Sequence, residues 1–157
     1  MGKTILIKKF LLEPIPKISD IINIEEMKMK GKRHYLYTND TEILEGIPDM
    51  ITKVATTKKF TPASKKMNIV RVELTYLASG NIGRGRPNKY YAQPNFYIIL
   101  NLGPNPRSIG INRGCFVIEP GDLLLTMNNN WEVLKTETGD EKENTGMMIY
   151  KGNFVDP

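Results

Sequence analysis

The sequence predicts an α+β fold, with helices in the first third of the chain and a largely antiparallel β-sheet or small barrel from residue 69 onward. Apolar residues recur at helical spacing between Ile18 and Lys30. A second helical stretch, Thr41 to about Lys53, follows a capping Asn39 or Asp40. From Ile69 the apolar residues alternate with polar ones, which is the period of a strand.

The predicted strands follow one another closely along the chain. They cover residues 4–12, 34–38, 69–76, 89–102, 109–118, 123–127, 131–136 and 147–151. Turns rich in Gly, Pro and Asn separate the last five of them. Pro48 lies within the second helical stretch and predicts a break there. The strands at 69–76 and 89–102 enclose Gly80 to Asn88, and this arrangement predicts a long β-hairpin.

Length and composition are those of one globular domain covering residues 1–157. The longest apolar runs, such as Phe96 to Leu100, are too short to cross a bilayer, and the lysine-bearing N-terminus does not have the form of a signal peptide. We therefore expect an intracellular protein, in the cytoplasm or in a host cell. Cys115 lies in an apolar run and is expected to be buried. His34 is the single histidine, which excludes mechanisms that need two.

The charge is unevenly distributed along the chain. Residues 1–91 carry 17 Lys and Arg against 9 Asp and Glu, whereas residues 92–157 carry 5 against 8. The first part therefore has a net charge of +8 and the second a net charge of −3. This asymmetry predicts a basic face for a polyanion and a mildly acidic, β-rich part that contacts a protein partner or forms a homodimer.

The segment from Gly83 to Pro87 reads Gly-Arg-Gly-Arg-Pro. Arg84 to Pro87 resembles the core of an AT-hook, in which arginines enter the narrow minor groove of A·T-rich DNA. Placed at a hairpin tip, the segment also resembles the β-arm of HU-like architectural proteins. Residues 70–91 as a whole resemble the end of a winged-helix domain with its wing. All three resemblances imply that Arg84 and Arg86 contact DNA.

Further basic residues are candidates for phosphate contacts. They are Lys58, Lys59, Lys65, Lys66, Arg71 and Lys89. Phe60 lies among the first four and is a candidate for stacking on an unpaired base. The sequence therefore favours a non-enzymatic, double-stranded DNA-binding protein without a cofactor.

Two alternatives remain open. Glu73 is a carboxylate in the middle of a strand among basic residues, which is typical of a metal ligand or general base, and Asp49 is a looser second ligand. The first alternative is thus a small Mg²⁺-dependent nuclease that uses Glu73. The second is a viral or mobile-element assembly or interaction protein, which the lysine- and asparagine-rich composition suggests.

Overall fold

The computed structural model describes residues 3–12, 35–38, 46–77, 94–134 and 145–157. These residues form nine β-strands and one α-helix. The strands are β1 (Thr4–Ile7), β2 (Tyr35–Thr38), β3 (Lys66–Leu77), β4 (Phe96–Gly103), β5 (Arg107–Ile111), β6 (Gly114–Ile118), β7 (Leu123–Thr126), β8 (Trp131–Val133) and β9 (Thr145–Val155). The helix, α1, covers Ile47–Thr57 and precedes β3.

The strands form two antiparallel sheets. The large sheet has the order β1-β7-β4-β9-β3-β2, and the small sheet has the order β6-β5-β8. From β4 onward the chain crosses between the sheets after β4, β6, β7 and β8. A chain that alternates between two facing antiparallel sheets in this way has the architecture of a jelly-roll-like β-sandwich.

The α+β prediction is therefore wrong: the described residues are mostly antiparallel β-sheet, with α1 as their one helix. The predicted helix at 18–30 lies outside the described residues. The second predicted helix exists, but it begins at Ile47 and Pro48 does not break it. Pro48 lies in the first turn, where no intrahelical partner is needed for its missing N–H, and its fixed φ suits the start of a helix.

The predicted hairpin between β3 and β4 is also wrong. Both strands pair with β9, which lies between them: Val72 is opposite Tyr150 in one ladder, and Ile98 is opposite Tyr150 in the other. The sequence supplies β9 about 50 residues after β4, so the pairing that forms is not the local one. The loop that was expected to form the hairpin tip, with Arg84 and Arg86, lies outside the described residues.

Alternate residues of the large sheet build two cores. One core lies between α1 and the large sheet, and the other lies between the two sheets. The first includes Ile47, Ile51, Ala55, Phe60, Val72, Phe96, Ile98, Leu100, Met148 and Tyr150. The second includes Tyr97, Ile99, Ile109, Ile111, Ile118, Leu124, Trp131, Val133, Met147 and Ile149. The continuous apolar runs of β4 and β9 are thus explained, because both faces of these strands are buried.

Buried polar side chains hold the corners of the sandwich. The Asn101 amide donates to the carbonyls of Asn105 and Ile118, each at 2.9 Å, and its Oδ1 accepts from Gly103 N at 2.7 Å. This closes the predicted turn at 103–106, which carries the chain from the large sheet to the small one. In the part of the chain that the structure describes, no helix has the length and apolar character needed to cross a membrane.

Candidate functional site

A row of charged and aromatic side chains crosses one end of the sandwich. The register places Arg71 of β3 opposite Lys151 of β9, and Lys151 opposite Tyr97 of β4. Across the space between the sheets, the ring of Tyr97 meets the ring of Trp131 edge-on, with centroids 5.6 Å apart. Trp131 is the first residue of β8 and pairs with Ile111, the last residue of β5. Both sheets therefore contribute to this end.

Glu73 lies at the centre of the charged part of this row. Its Oε1 accepts a hydrogen bond from Lys151 Nζ at 3.0 Å and lies 3.3 Å from Arg71 Nε. The Glu73 side chain is 6% exposed and that of Lys151 is 20% exposed, whereas that of Arg71 is half exposed. A carboxylate this deeply buried is stable only when it is paired, and here two cations satisfy one acceptor.

A β-bulge at Val70 positions Arg71 in this group. The ladder pairs Ile69 with Gly152 and Arg71 with Lys151, so that Val70 is left as an extra residue. In a regular strand, residues 69 and 71 would lie on the same face. Here Ile69 packs against the core beneath α1, whereas Arg71 reaches Glu73. The bulge thus places Arg71 opposite Lys151 and on the face of Glu73, and re-aiming a side chain is a known role of β-bulges.

The two aromatic residues bound the charged group on the side of the small sheet. Burial raises the pKa of the Tyr97 hydroxyl, and the nearby negative charge of Glu73 raises it further. Lys151 Nζ lies 5.8 Å from the centre of the Tyr97 ring, within the range of a cation–π contact. The Trp131 Nε1–H group is buried and has no hydrogen-bond partner within the described residues. The site therefore combines two cations, one carboxylate and aromatic faces.

A cleft of about 340 Å³ opens on the other side of Trp131. It lies over the turn between β5 and β6 and the start of β8, on the outer face of the small sheet, because Gly110 and Glu132 alternate with the inward-facing Ile109, Ile111 and Val133. Its lining residues are Gly110, Asn112, Arg113, Gly114, Asn130, Trp131, Glu132 and Leu134. The cleft is of the size that a small ligand or part of a larger one fills.

The four lysines predicted to contact phosphate are exposed, and they lie outside this row. Lys58 and Lys59 follow α1, and Lys65 and Lys66 precede and begin β3. Lys65 Nζ forms an exposed ion pair with Asp156 at 2.7 Å. Phe60 does not extend toward a base: it is 1% exposed and packs in the core beneath α1. Lys89, like Arg84 and Arg86, lies outside the described residues.

Two further predictions are corrected by the structure. Cys115 is exposed rather than buried, because it lies on β6, a strand at the edge of the small sheet whose outer face is uncovered in the described part of the chain. Asp49 lies exposed in the first turn of α1, on the face of the large sheet that carries Val72. Glu73, the next residue after Val72 along β3, faces the other way. The two carboxylates proposed for a nuclease site are thus on opposite faces of the sheet.

The comparisons with known proteins concern the fold. No family model matches the sequence, and no curated protein matches it. The structure resembles the viral collagen prolyl hydroxylase of Paramecium bursaria Chlorella virus-1, solved as a 2OG complex, with a TM-score of 0.61 and 12% identity over 94% of each chain. A truncated form of that enzyme gives a TM-score of 0.60 and 12% identity, over 95% of this chain and 90% of the other. A prolyl-4-hydroxylase from Pseudomonas putida gives 0.50 and 10%, over 96% and 92%.

The class of fold is therefore that of the prolyl hydroxylases. The prediction of a DNA-binding protein is wrong, because three solved structures that share this fold along nearly the whole chain are prolyl hydroxylases. One of its readings placed Arg84 and Arg86 at the tip of a β3–β4 hairpin, and β9 separates those strands. At 10–12% identity the likeness establishes the fold and leaves the chemistry of this chain to its own residues.

Those residues do not fit the iron site that this fold implies. Non-haem iron oxygenases of the common type hold the metal with two histidines and one carboxylate. This sequence has one histidine in all of its 157 residues, His34, so it cannot supply that ligand set. In the ranges that the structure describes, no three His, Cys, Asp or Glu side chains group to hold a metal ion.

The sequence identified two charged residues of this site, Glu73 and Arg71, and did not identify Lys151. Glu73 and Arg71 were both candidates, although for different roles. Lys151 was not, because a lysine at the end of a short predicted strand resembles any solvated lysine. Its signal becomes visible only with the register, which places it at the inward-facing positions of β9 with Met147 and Ile149. Tyr97 and Trp131 were apparent only as aromatic residues in predicted strands.

Proposed function

We propose that this protein binds a small carboxylate ligand at the row of Arg71, Lys151 and Tyr97, and that it does so without an iron centre. The observation that carries the proposal is the pairing of two cations with the single buried carboxylate of Glu73. The Lys151 side chain is 20% exposed and that of Arg71 is half exposed, so both cations are accessible to a ligand. A ligand carboxylate accepts charge-assisted hydrogen bonds from such cations.

The identity of the ligand is guided by the fold. The viral hydroxylase with this fold was solved as a 2OG complex. 2-Oxoglutarate is a small dicarboxylate, and one of its carboxylates suits the ammonium of Lys151 and the guanidinium of Arg71. The Tyr97 hydroxyl is un-ionised at neutral pH, as that of any tyrosine with an ordinary or raised pKa is, and it is a neutral donor.

Two expectations from the sequence, on location and on partners, are compatible with this proposal. An intracellular location stays a prediction. A homodimer or a protein partner at the acidic C-terminal part stays a prediction. Neither is needed for the carboxylate site.

Isothermal titration calorimetry with 2-oxoglutarate and with succinate tests the proposal. We expect saturable 1:1 binding to the wild-type protein and a loss of affinity of about tenfold or more in Lys151→Met, because one charge-assisted contact is removed. Lys65→Met is the matched control, since Lys65 lies in an exposed pair with Asp156 outside the row. Equal affinities in the two variants, or no binding to any of the three proteins, would refute the proposal.

A second measurement separates binding from oxygenase activity. The protein is incubated with Fe(II), 2-oxoglutarate and oxygen, and succinate formation is followed by NMR. We expect none above the rate of the protein-free mixture, because the chain has one histidine. Succinate formation that requires the protein would show that it is an iron oxygenase with an unusual ligand set.

A further inference from the structure

β6 is an edge strand that lacks the usual protection against pairing with another chain. It is the first strand in the order β6-β5-β8, and within the described residues no strand pairs with its other side. Its register with β5 runs from Gly114 to Ile118 without a bulge, and its sequence, Gly-Cys-Phe-Val-Ile, contains neither a charge nor a proline. Bulges, charges and prolines are the features that keep edge strands from pairing with other chains. The edge of β6 is therefore suited to accept a further strand.

The backbone groups at this edge belong to Cys115 and Val117. The Ser108 carbonyl accepts a hydrogen bond from Leu134 N at 2.9 Å, so the backbone groups of Ser108 face β8 and not Val117, its opposite residue on β6. The N–H and C=O of Val117 consequently point away from β5, and those of Cys115, two positions earlier, do the same. Both side chains are exposed on the outer face of the small sheet, Val117 by 54%.

The charges that flank β6 favour a second copy of the same strand. Arg113 precedes the strand and Glu119 follows it, and both are exposed. In an antiparallel pair of two β6 strands centred on Phe116, Arg113 of each copy lies opposite Glu119 of the other. A parallel pair would instead place like charges side by side. Glu119 is 61% exposed in its pair with Lys8, so its carboxylate remains accessible to a second cation.

We propose that the protein forms a two-fold symmetric homodimer in which the β6 strands of two copies pair antiparallel about Phe116. The two small sheets then form one continuous sheet of six strands. In this register the edge groups of Cys115 meet those of the partner's Val117. The Phe116 side chains, each half-buried against the core between the sheets, become neighbours across the two-fold axis. A register shifted by two residues would keep the backbone hydrogen bonds but would separate Arg113 from Glu119.

Analytical ultracentrifugation over a range of concentrations tests the interface. We expect wild type to sediment as a dimer that dissociates on dilution. Val117→Pro should be a folded monomer, because it removes an edge N–H that the β5 ladder does not use. Val117→Ala is the matched control, since it shortens the same side chain but keeps the N–H, and it should still dimerise.

Charge reversal tests the interface independently, and it also serves if Val117→Pro does not fold. Arg113→Glu should raise the dissociation constant of the dimer about tenfold, because two attractive pairs become repulsive. Adding Glu119→Arg to that variant should restore dimerisation. Lys58→Glu makes the same change of charge at an exposed residue after α1 and should match wild type.

The substitution Val117→Cys tests the register. Opposite residues of a hydrogen-bonded antiparallel pair have Cα atoms about 5.5 Å apart, within the range of a disulfide. Mild oxidation should therefore link the introduced thiol to Cys115 of the partner subunit, and adding Cys115→Ser should remove most of the linked dimer. A wild type that is monomeric at every concentration overturns the proposal. A dimer that is equally stable in folded Val117→Pro and Arg113→Glu variants overturns it too, because its interface is then elsewhere.

Discussion

Gly152 is the residue that brings the three central strands of the large sheet into contact. It is opposite Ile69 in the β3 ladder and opposite Phe96 in the β4 ladder, next to Lys151 and beside the bulge at Val70. A Cβ atom built on Gly152 would lie 2.0 Å from the carbonyl oxygen of Asn68 and 2.6 Å from Cζ of Phe96. The nearer obstacle is backbone, which cannot rotate away as a side chain can.

The substitution Gly152→Ala should therefore be severely destabilising. To restore an ordinary contact with the Asn68 oxygen, the β3 and β9 backbones must separate by more than 1 Å, on the order of the difference between 2.0 Å and a normal van der Waals distance. This disrupts ladder hydrogen bonds and the packing of Phe96 at once. Overpacking in a core costs about 1–3 kcal/mol and more when backbone must move, so we expect a loss of about 3 kcal/mol or more.

Urea unfolding followed by circular dichroism measures this loss as a lower midpoint. Gly114→Ala is the matched control, because a Cβ there would lie 3.5 Å from the Ile111 carbonyl oxygen, an ordinary contact on an exposed strand. It should stay within about 0.5 kcal/mol of wild type. A Gly152→Ala protein as stable as Gly114→Ala would refute the close approach of β9 to β3, and with it the geometry that sets Lys151 beside Glu73.

Two further predictions concern titrating groups. Burial alone would raise the pKa of Asp122, but hydrogen bonds from Lys8 Nζ (2.5 Å), Lys9 N and Glu119 N (both 2.9 Å) lower it overall. The stability that Asp122 contributes is therefore present above its unfolded pKa of 3.8 and is lost as the pH falls toward its folded pKa. Asp122→Asn should lower the free energy of unfolding by about 1.5–3 kcal/mol at neutral pH. In urea unfolding measured at several pH values, the variant should also lose less stability than wild type as the pH falls. Because Glu73 adds to the raised pKa of Tyr97, Glu73→Gln should lower that pKa, seen by near-ultraviolet tyrosinate absorbance; an unchanged value would place Glu73 away from Tyr97.

The strands were predictable where the evidence for them is local. The alternation after Ile69 and the short apolar run before Thr38 both correspond to strands, β3 and β2. The turns at 103–106, 120–122 and 128–130 also separate strands as predicted. Period-two patterns and turn residues act within a few positions of each other, so one sequence is enough to detect them.

The pairing of strands was not predictable in the same way. No residue near β3 and β4 in the sequence prevents them from forming a hairpin. They are kept apart by β9, because its Met148 and Tyr150 pack in the core beneath α1 and its Met147 and Ile149 pack in the core between the sheets. The bulge at Val70 also depends on the pairing of β3 with the distant strand β9. Uninterrupted alternation along β3 would put Val70 and Val72 on the same face, but Val70 is 59% exposed and Ile69 takes the inward position.

The site shows the same division between local and long-range information. The sequence alone identified Glu73, because a carboxylate inside a predicted strand is costly to bury unless it has a partner. Its partner Lys151 is 78 positions away in the sequence, so the pair can be identified only once the strand register is known. The role first suggested for Glu73, a metal ligand, does not fit a carboxylate whose Oε1 is already shared by two cations.

Fold and chemistry separate clearly in this protein. The sandwich is that of prolyl hydroxylases along 94% of the chain, yet a single histidine excludes the ligand set with which such folds hold iron. What the chain does place at the end of the sandwich is a row of opposite charges set by one line of strand register, from Arg71 through Lys151 to Tyr97. Cationic side chains beside aromatic faces suit an anion, which is why the proposed carboxylate site is assigned to these side chains and not to a metal.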